Sequence, residues 1–107
     1  MYRELMMKKQ QVIVLARATP SAKQLAEAVA VFEEFKALVA ARYPVVTIDL
    51  ICAIEGQLSW LEYWPDKESL HKFYGEYIGF SDLPLRLVNA SRHAPDRQHF
   101  QPLVVHN

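Results

Sequence analysis

The chain alternates between segments with strand-like and helix-like spacing of apolar residues. Residues 11–18 are rich in β-branched side chains and contain no breaker, which predicts a first strand. Residues 22–42 carry apolar side chains three and four positions apart, which predicts an amphipathic helix. The apolar positions of this helix are Leu25, Val29, Phe32, Phe35 and Val39. Thr19 or Ser21 offers an N-cap, and Tyr43 should end the helix because it precedes a proline.

A β-hairpin is predicted next. Along residues 45–55, one face would carry Val46, Ile48, Leu50, Cys52 and Ile54, and the other would carry Val45, Thr47, Asp49, Ile51, Ala53 and Glu55. The first face is wholly apolar and the second is half apolar, so both faces need cover. The sequence Glu-Gly-Gln at residues 55–57 predicts a tight turn into a second hairpin strand over residues 58–64.

The C-terminal part predicts two helical segments and a strand. Asp66 offers an N-cap for a helix over residues 67–78, with Gly79 as its stop. Residues 85–90 should form a short helical piece, and the segment 94–96 a turn. Residues 100–106 should form the last strand, and the proline at 102 indicates a sheet edge or a bulge.

The predicted order is therefore β-α-β-β-α-β, the ferredoxin-like pattern of the α+β class. It implies a four-stranded antiparallel sheet with both main helices on one face. A chain of 107 residues supports one domain, 1–107, in which residues 1–9 would be a flexible N-terminal extension. The second sheet face would stay uncovered, although it should carry apolar residues such as Ile51, Ala53, Leu61 and Tyr63. We therefore expect a homodimer through this face.

Composition and charge exclude several classes of function. Twelve basic residues balance twelve acidic ones, and without a basic run neither nucleic acid nor an anionic membrane surface is an expected partner. The one cysteine, Cys52, cannot form an internal disulfide or a CxxC motif. No segment has the length and apolarity of a signal peptide or a membrane span, so a cytoplasmic location is expected.

One segment carries a family resemblance: Glu62-Tyr-Trp-Pro-Asp-Lys-Glu-Ser-Leu70. It resembles the strand, tryptophan, acidic turn and helix of antibiotic biosynthesis monooxygenase (ABM) domains in the dimeric α+β barrel superfamily. The resemblance implies an eight-stranded barrel across a dimer and oxygenase chemistry without a cofactor. Phe73 stands where many members have a histidine. The haem-degrading branch uses an asparagine on the first strand and a tryptophan on the second helix. Neither is present here, so haem degradation by that mechanism is not expected.

The candidate site lies around this segment. Trp60 and Trp64 share one strand face and could wall a pocket for a flat ligand, with Phe73 and Tyr74 as further binding residues. Two tryptophans could equally pack an ordinary core. Glu62 is a candidate base if it is buried, because burial would raise its pKa. His71 is a second candidate base, or otherwise an exposed helix residue. The histidines at 93, 99 and 106 lack the spacing of a metal site, and no metal is expected.

Three functions fit these features. The first is a small cofactor-independent monooxygenase acting on an aromatic or quinol-like small molecule. Its protein would orient the substrate and remove a proton. The alternatives are a non-catalytic ligand-binding or stress-associated barrel, and an isomerase or lactone-processing enzyme on the same barrel. A titratable group at the pocket would separate the enzymes from the binder, and oxygen uptake would separate the first function from the third.

Overall fold

The computed structural model describes residues 11–101, and the expected N-terminal extension, residues 1–9, lies outside this range. Within it, the elements are β1 (Val12–Ala18), α1 (Leu25–Arg42), β2 (Thr47–Ile54), β3 (Gln57–Trp64), α2 (Lys67–Phe80), α3 (Leu83–Asn89) and β4 (Asp96–Phe100). The strands form one antiparallel sheet in the order β2-β3-β1-β4. This is the predicted ferredoxin-like arrangement, with the short α3 added before the last strand.

The hydrophobic core lies between the helices and one face of the sheet. Alternate residues of the two central strands face the helices and are buried: Val12, Val14, Ala16 and Ala18 in β1, and Leu58, Trp60, Glu62 and Trp64 in β3. Helix α1 covers them with Ala28, Val31, Phe32, Phe35 and Val39. Alternate strand residues and one face of the helix therefore meet in one layer. Phe32, Phe35 and Val39 are buried as predicted, whereas the predicted Leu25 and Val29 are only half-buried.

Local signals fix the starts of the two main helices. The Ser21 hydroxyl accepts a hydrogen bond from the backbone N–H of Gln24 at 3.3 Å, in the turn that leads into α1. Asp66 Oδ1 accepts from the backbone N–H of Ser69 at 2.7 Å, which confirms the predicted N-cap of α2. The predicted stop at Gly79 is wrong, because α2 continues to Phe80 and Ser81 takes the extended conformation.

The predicted alternation along the second strand fails after Leu50. Leu50 lies opposite Trp60, but Cys52 lies opposite Ser59, so Ile51 is an extra residue in a β-bulge. As a result Ala53 lies opposite Leu58 and packs against the core, although it was predicted on the uncovered face. The pattern could not reveal the bulge because both faces of this strand carry apolar residues.

The last strand begins earlier than predicted. Its residues Asp96–Phe100 pair with β1, from Arg17 opposite Asp96 to Ile13 opposite Phe100. All five are exposed, so the strand has no apolar alternation and is held by its pairing at the sheet edge. The predicted edge position is confirmed. The remainder of the predicted strand, residues 102–106, lies outside the described residues. In residues 11–101, no helix has the length and apolarity needed to cross a bilayer.

Candidate active site

A carboxylate lies in the middle of the core. Glu62 has an exposed fraction of 0%, and both of its oxygens accept hydrogen bonds. The indole N–H of Trp60 donates to Oε2 at 2.8 Å, and that of Trp64 donates to Oε1 at 2.9 Å. The Tyr74 hydroxyl lies 2.8 Å from each oxygen. Three donors from two elements therefore converge on one buried acid.

The local sequence explains this convergence. Positions 60, 62 and 64 of β3 alternate onto the face that the helices cover, so the carboxylate stands between two indoles. The chain turns at Pro65 and enters α2 at the Asp66 cap, which brings the Tyr74 hydroxyl over the same strand. Strand, turn and helix thus build the network from one continuous stretch of chain.

Burial sets the protonation behaviour of this pair. Burial raises the pKa of Glu62 above its ordinary value, and the hydrogen bonds from Trp64, Trp60 and Tyr74 act in the opposite direction. The pKa of Tyr74 is raised well above 10, first by burial and then by the nearby Glu62 charge. Tyr74 therefore stays a neutral hydroxyl, and Glu62 is the group of the pair that holds a proton more readily than an exposed carboxylate does.

A cavity of about 180 Å³ lies beside this network, between the sheet and the three helices. Its wall includes Trp60, Tyr74 and Tyr77, together with Phe35 from α1. Apolar residues of α3 and the polar residues Arg17, Asp96 and Arg97 complete it. An apolar protein cavity of about 150 Å³ holds one benzene molecule. The space beside Trp60 is thus large enough for a molecule of about that size.

The predicted binding residues separate into two groups. Trp60 and Tyr74 line the cavity, whereas Trp64 and Phe73 do not. Trp64 has an exposed fraction of 0%, and its ring centroid lies 5.4 Å from those of Phe73 and Tyr43. These three rings form a packed layer behind the network, so Trp64 contributes to the site through Glu62 rather than through a ligand contact.

The two predicted bases also lie apart. Glu62 does not line the cavity, and Trp60 and Tyr74, which do, are its hydrogen-bond partners. His71 is exposed and lines a second, open depression, which shares Tyr74 with the cavity. The second depression also contains Arg97 and His99 of β4.

Arg97 is a site residue that the sequence did not indicate. Its guanidinium carbon lies 3.9 Å from the centroid of the Tyr74 ring, a cation–π contact at the cavity wall. The neighbouring Arg17 is instead paired with Asp96, with Nε 3.2 Å from Oδ1. Arg97 lies between the predicted turn, residues 94–96, and the predicted last strand, residues 100–106, so no prediction placed its side chain beside α2. Within residues 11–101, no three His, Cys, Asp or Glu residues cluster as metal ligands would.

Known proteins resemble this chain in structure. The sequence matches no family profile and no curated protein. Among solved structures, a provisionally assigned antibiotic biosynthesis monooxygenase from Caulobacter crescentus is 20% identical. It superposes with a TM-score of 0.72 over 97% of this chain and 100% of its own. SnoaB from Streptomyces nogalater, a cofactor-independent oxygenase, is 19% identical, with a TM-score of 0.69 over 90% of this chain and 96% of its own.

A third structure agrees. A provisionally assigned antibiotic biosynthesis monooxygenase from Bordetella bronchiseptica is 10% identical, with a TM-score of 0.66 over 90% of this chain and 100% of its own. At these identities the likeness concerns the fold. The resemblance first carried by the strand, turn and helix after Glu62 thus extends over nearly the whole chain, which has the fold of an ABM-like domain.

Proposed function

We propose that the protein is a small cofactor-independent monooxygenase acting on an aromatic or quinol-like molecule bound beside Trp60 and Tyr74. The observation that carries the proposal is the buried Glu62 carboxylate, hydrogen-bonded to two residues that line an apolar cavity. A cavity whose wall carries a hydroxyl that is hydrogen-bonded to a buried carboxylate combines ligand binding with proton removal. The fold shared with SnoaB, a cofactor-independent oxygenase, supports the same reaction class.

The proposed chemistry uses Tyr74 and Glu62 in sequence. An acidic C–H or O–H of the substrate gives its proton to the Tyr74 oxygen, while the Tyr74 hydroxyl proton passes to the Glu62 oxygen that lies 2.8 Å from the Tyr74 oxygen. The substrate becomes an electron-rich anion that reacts with molecular oxygen. For a methylene carbon, one oxygen atom ends as a carbonyl and the other leaves as water. Tyr74 is neutral before and after the transfer, which agrees with its high pKa.

His71 was predicted as an alternative base, and its position argues against that role. It is exposed on the second depression and does not line the cavity. A substrate ring beside Trp60 would meet the Tyr74 hydroxyl first. We therefore assign the proton transfer to Tyr74 and Glu62.

A binding protein without turnover is the second candidate. Both Glu62 oxygens accept hydrogen bonds from side chains of the protein, as in a carboxylate that only organises a core. In that case the cavity would bind an aromatic molecule and leave it unchanged.

We also propose that the protein is a homodimer through the uncovered sheet face. Ile13 and Leu15 of β1 lie opposite Tyr63 and Leu61 of β3 on this face, and all four side chains are only half-buried. Exposed Ile54, which lies opposite Gln57 beyond the bulge, extends the apolar surface along β2. A second copy would bury this surface and close the barrel that the fold implies. A cytoplasmic location remains part of the proposal.

Oxygen consumption tests the function. The purified protein is mixed with a panel of one- and two-ring hydroquinones and enolisable aryl ketones, and oxygen uptake above autoxidation is measured. Tyr74→Phe should lower turnover about 100-fold, the usual contribution of a positioned acid–base group. Tyr43→Phe is the matched control, because Tyr43 packs on Trp64 away from the cavity. Ligand binding without oxygen uptake across the panel would favour the binding protein.

A further inference from the structure

The second depression is built by the edge strand and one helix. Arg97 and His99 are alternate residues of β4, opposite Ala16 and Val14 of β1, so both lie on the sheet face that the helices cover. Helix α2 adds His71 and Tyr74, and these side chains line the depression together with Leu70 and Pro95. The strand and the helix thus bring three nitrogen-bearing side chains to one place.

The described residues that line this depression include an arginine and two histidines but no acid. In residues 11–101, Arg17 and Arg86 form ion pairs with Asp96, Glu27 and Glu34, and no ion pair involves Arg97. Among the described residues that line the depression, none is aspartate or glutamate. Arg97 stacks on the Tyr74 ring instead, which holds its guanidinium in place while leaving its edge able to donate hydrogen bonds.

The behaviour of His99 agrees with this geometry. Burial lowers its pKa first, and the positive charges of Arg97, His71 and Lys67 lower it further. Lys67 lies one helical turn before His71 on α2, and its positive charge also lowers the pKa of His99. The buried Glu62 charge interacts with Arg97 but does not line the depression, so the positive groups there still repel one another, and an anion among them would relieve that repulsion.

We propose that this depression binds one oxyanion group, a carboxylate or a phosphate, which Arg97 and His99 hold together with His71. Arginine presents paired N–H donors that match either oxyanion. The depression and the cavity share Tyr74, Pro95 and Arg97. A ligand with its ring beside Trp60 and its anionic group against Arg97 would therefore occupy both. The place of the ring rests on the proposed function, whereas oxyanion binding does not.

The first test uses inorganic phosphate and needs no turnover. Histidine signals are followed by NMR during titration of the full chain with phosphate at constant ionic strength. We expect saturable shifts at His99 and His71, and a rise in the apparent pKa of His99 because the anion favours its charged form. His93, which does not line the depression, is the internal control. Non-saturable shifts, or equal shifts at His93, would overturn the proposal.

Two variants separate the site from general charge effects. Arg97→Gln should weaken phosphate binding about tenfold or more, since it removes the paired charged donors. Arg92→Gln removes the same charge from an exposed position outside the depression and should leave binding unchanged. Equal binding by the protein and Arg97→Gln, or equal weakening by both variants, would contradict the assignment. His99→Gln should also weaken phosphate binding, because it removes a second residue of the proposed site on the same strand.

A ligand series then identifies the preferred anion and tests whether one ligand occupies both the depression and the cavity. Benzoate and phenyl phosphate carry the two oxyanions on one ring, and benzyl alcohol is the uncharged control. Both anions should shift His99 and quench Trp60 fluorescence, and the tighter one identifies the preferred group. Benzyl alcohol binding as tightly as both anions would refute an oxyanion site. If the anions bind but no ring compound consumes oxygen, the oxygenase proposal fails while the oxyanion site stands.

Discussion

Replacing Glu62 by glutamine tests whether the buried carboxylate organises the core. The two oxygens of Glu62 accept from the indoles of Trp60 and Trp64, and the Tyr74 hydroxyl reaches both. Glutamine keeps the shape but has one oxygen and one NH₂ group. The Tyr74 hydroxyl can turn and accept from that NH₂ group, but an indole N–H cannot. One indole is therefore left facing another donor, without an acceptor.

The expected loss follows from that single unsatisfied group. A buried donor without a partner costs about 1–3 kcal/mol, and the remaining bonds lose charge assistance. A protonated glutamic acid does not suffer this loss, because its hydroxyl oxygen accepts from an indole while its proton goes to Tyr74. We therefore expect Glu62→Gln to lower the free energy of unfolding by about 2 kcal/mol at pH 4.

The difference should shrink as the pH rises. The folded protein holds the Glu62 proton more tightly than the unfolded chain, because burial raises the pKa in the fold. This stabilisation is complete below the unfolded value of about 4.5 and is lost as the pH rises through the folded pKa. Between the unfolded and the folded pKa of Glu62, the free energy of unfolding of the native protein falls by about 1.4 kcal/mol per pH unit because of this group. The Glu62→Gln variant has no such dependence.

Urea unfolding followed by tryptophan fluorescence at pH 4 to 8 measures both effects, because both indoles are buried in the fold. Glu33→Gln on the exposed side of α1 is the matched control and should change stability by less than about 0.5 kcal/mol. A Glu62→Gln protein as stable as the native one at pH 4 would refute the bonding argument. A stability profile parallel to that of the native protein would refute the pKa argument.

Three further predictions concern other parts of the molecule. Light scattering at micromolar concentration should give about twice 12.3 kDa, and Leu61→Glu on the uncovered sheet face should give a monomer; a native monomer would exclude the barrel. Trp60→Phe should weaken the binding of a ring compound. Trp64→Phe should instead lower the melting temperature with little change in binding. The reverse result would mean that the ligand binds beside Trp64. Asp66→Ala should cost about 1 kcal/mol of stability in thermal unfolding, because α2 loses its N-cap, and no change would mean that the cap is replaceable.

Local sequence patterns determined most of the secondary structure of this protein. The alternation of residues 58–64 places Trp60, Glu62 and Trp64 on one face, and the Asp66 cap starts the next helix at a fixed distance along the chain. The sequence therefore predicted the strand, the turn and the helix. It also named Trp60, Glu62, Trp64 and Tyr74 as candidate site residues, but it left the burial of Glu62 open and did not predict the hydrogen bonds among them. It also predicted the element order and the ferredoxin-like sheet, because hydrophobic period and turn residues act over a few positions.

Only the tertiary structure decided which of these residues meet a ligand. The cavity opens beside Trp60 because α1, α3 and β4 leave space there, while Tyr43 and Phe73 fill the space beside Trp64. The strand that supplies Arg97 has no apolar pattern and forms through pairing with β1, a contact between residues about 80 positions apart. Local sequence carries no signal for such contacts, since they depend on how distant elements pack together.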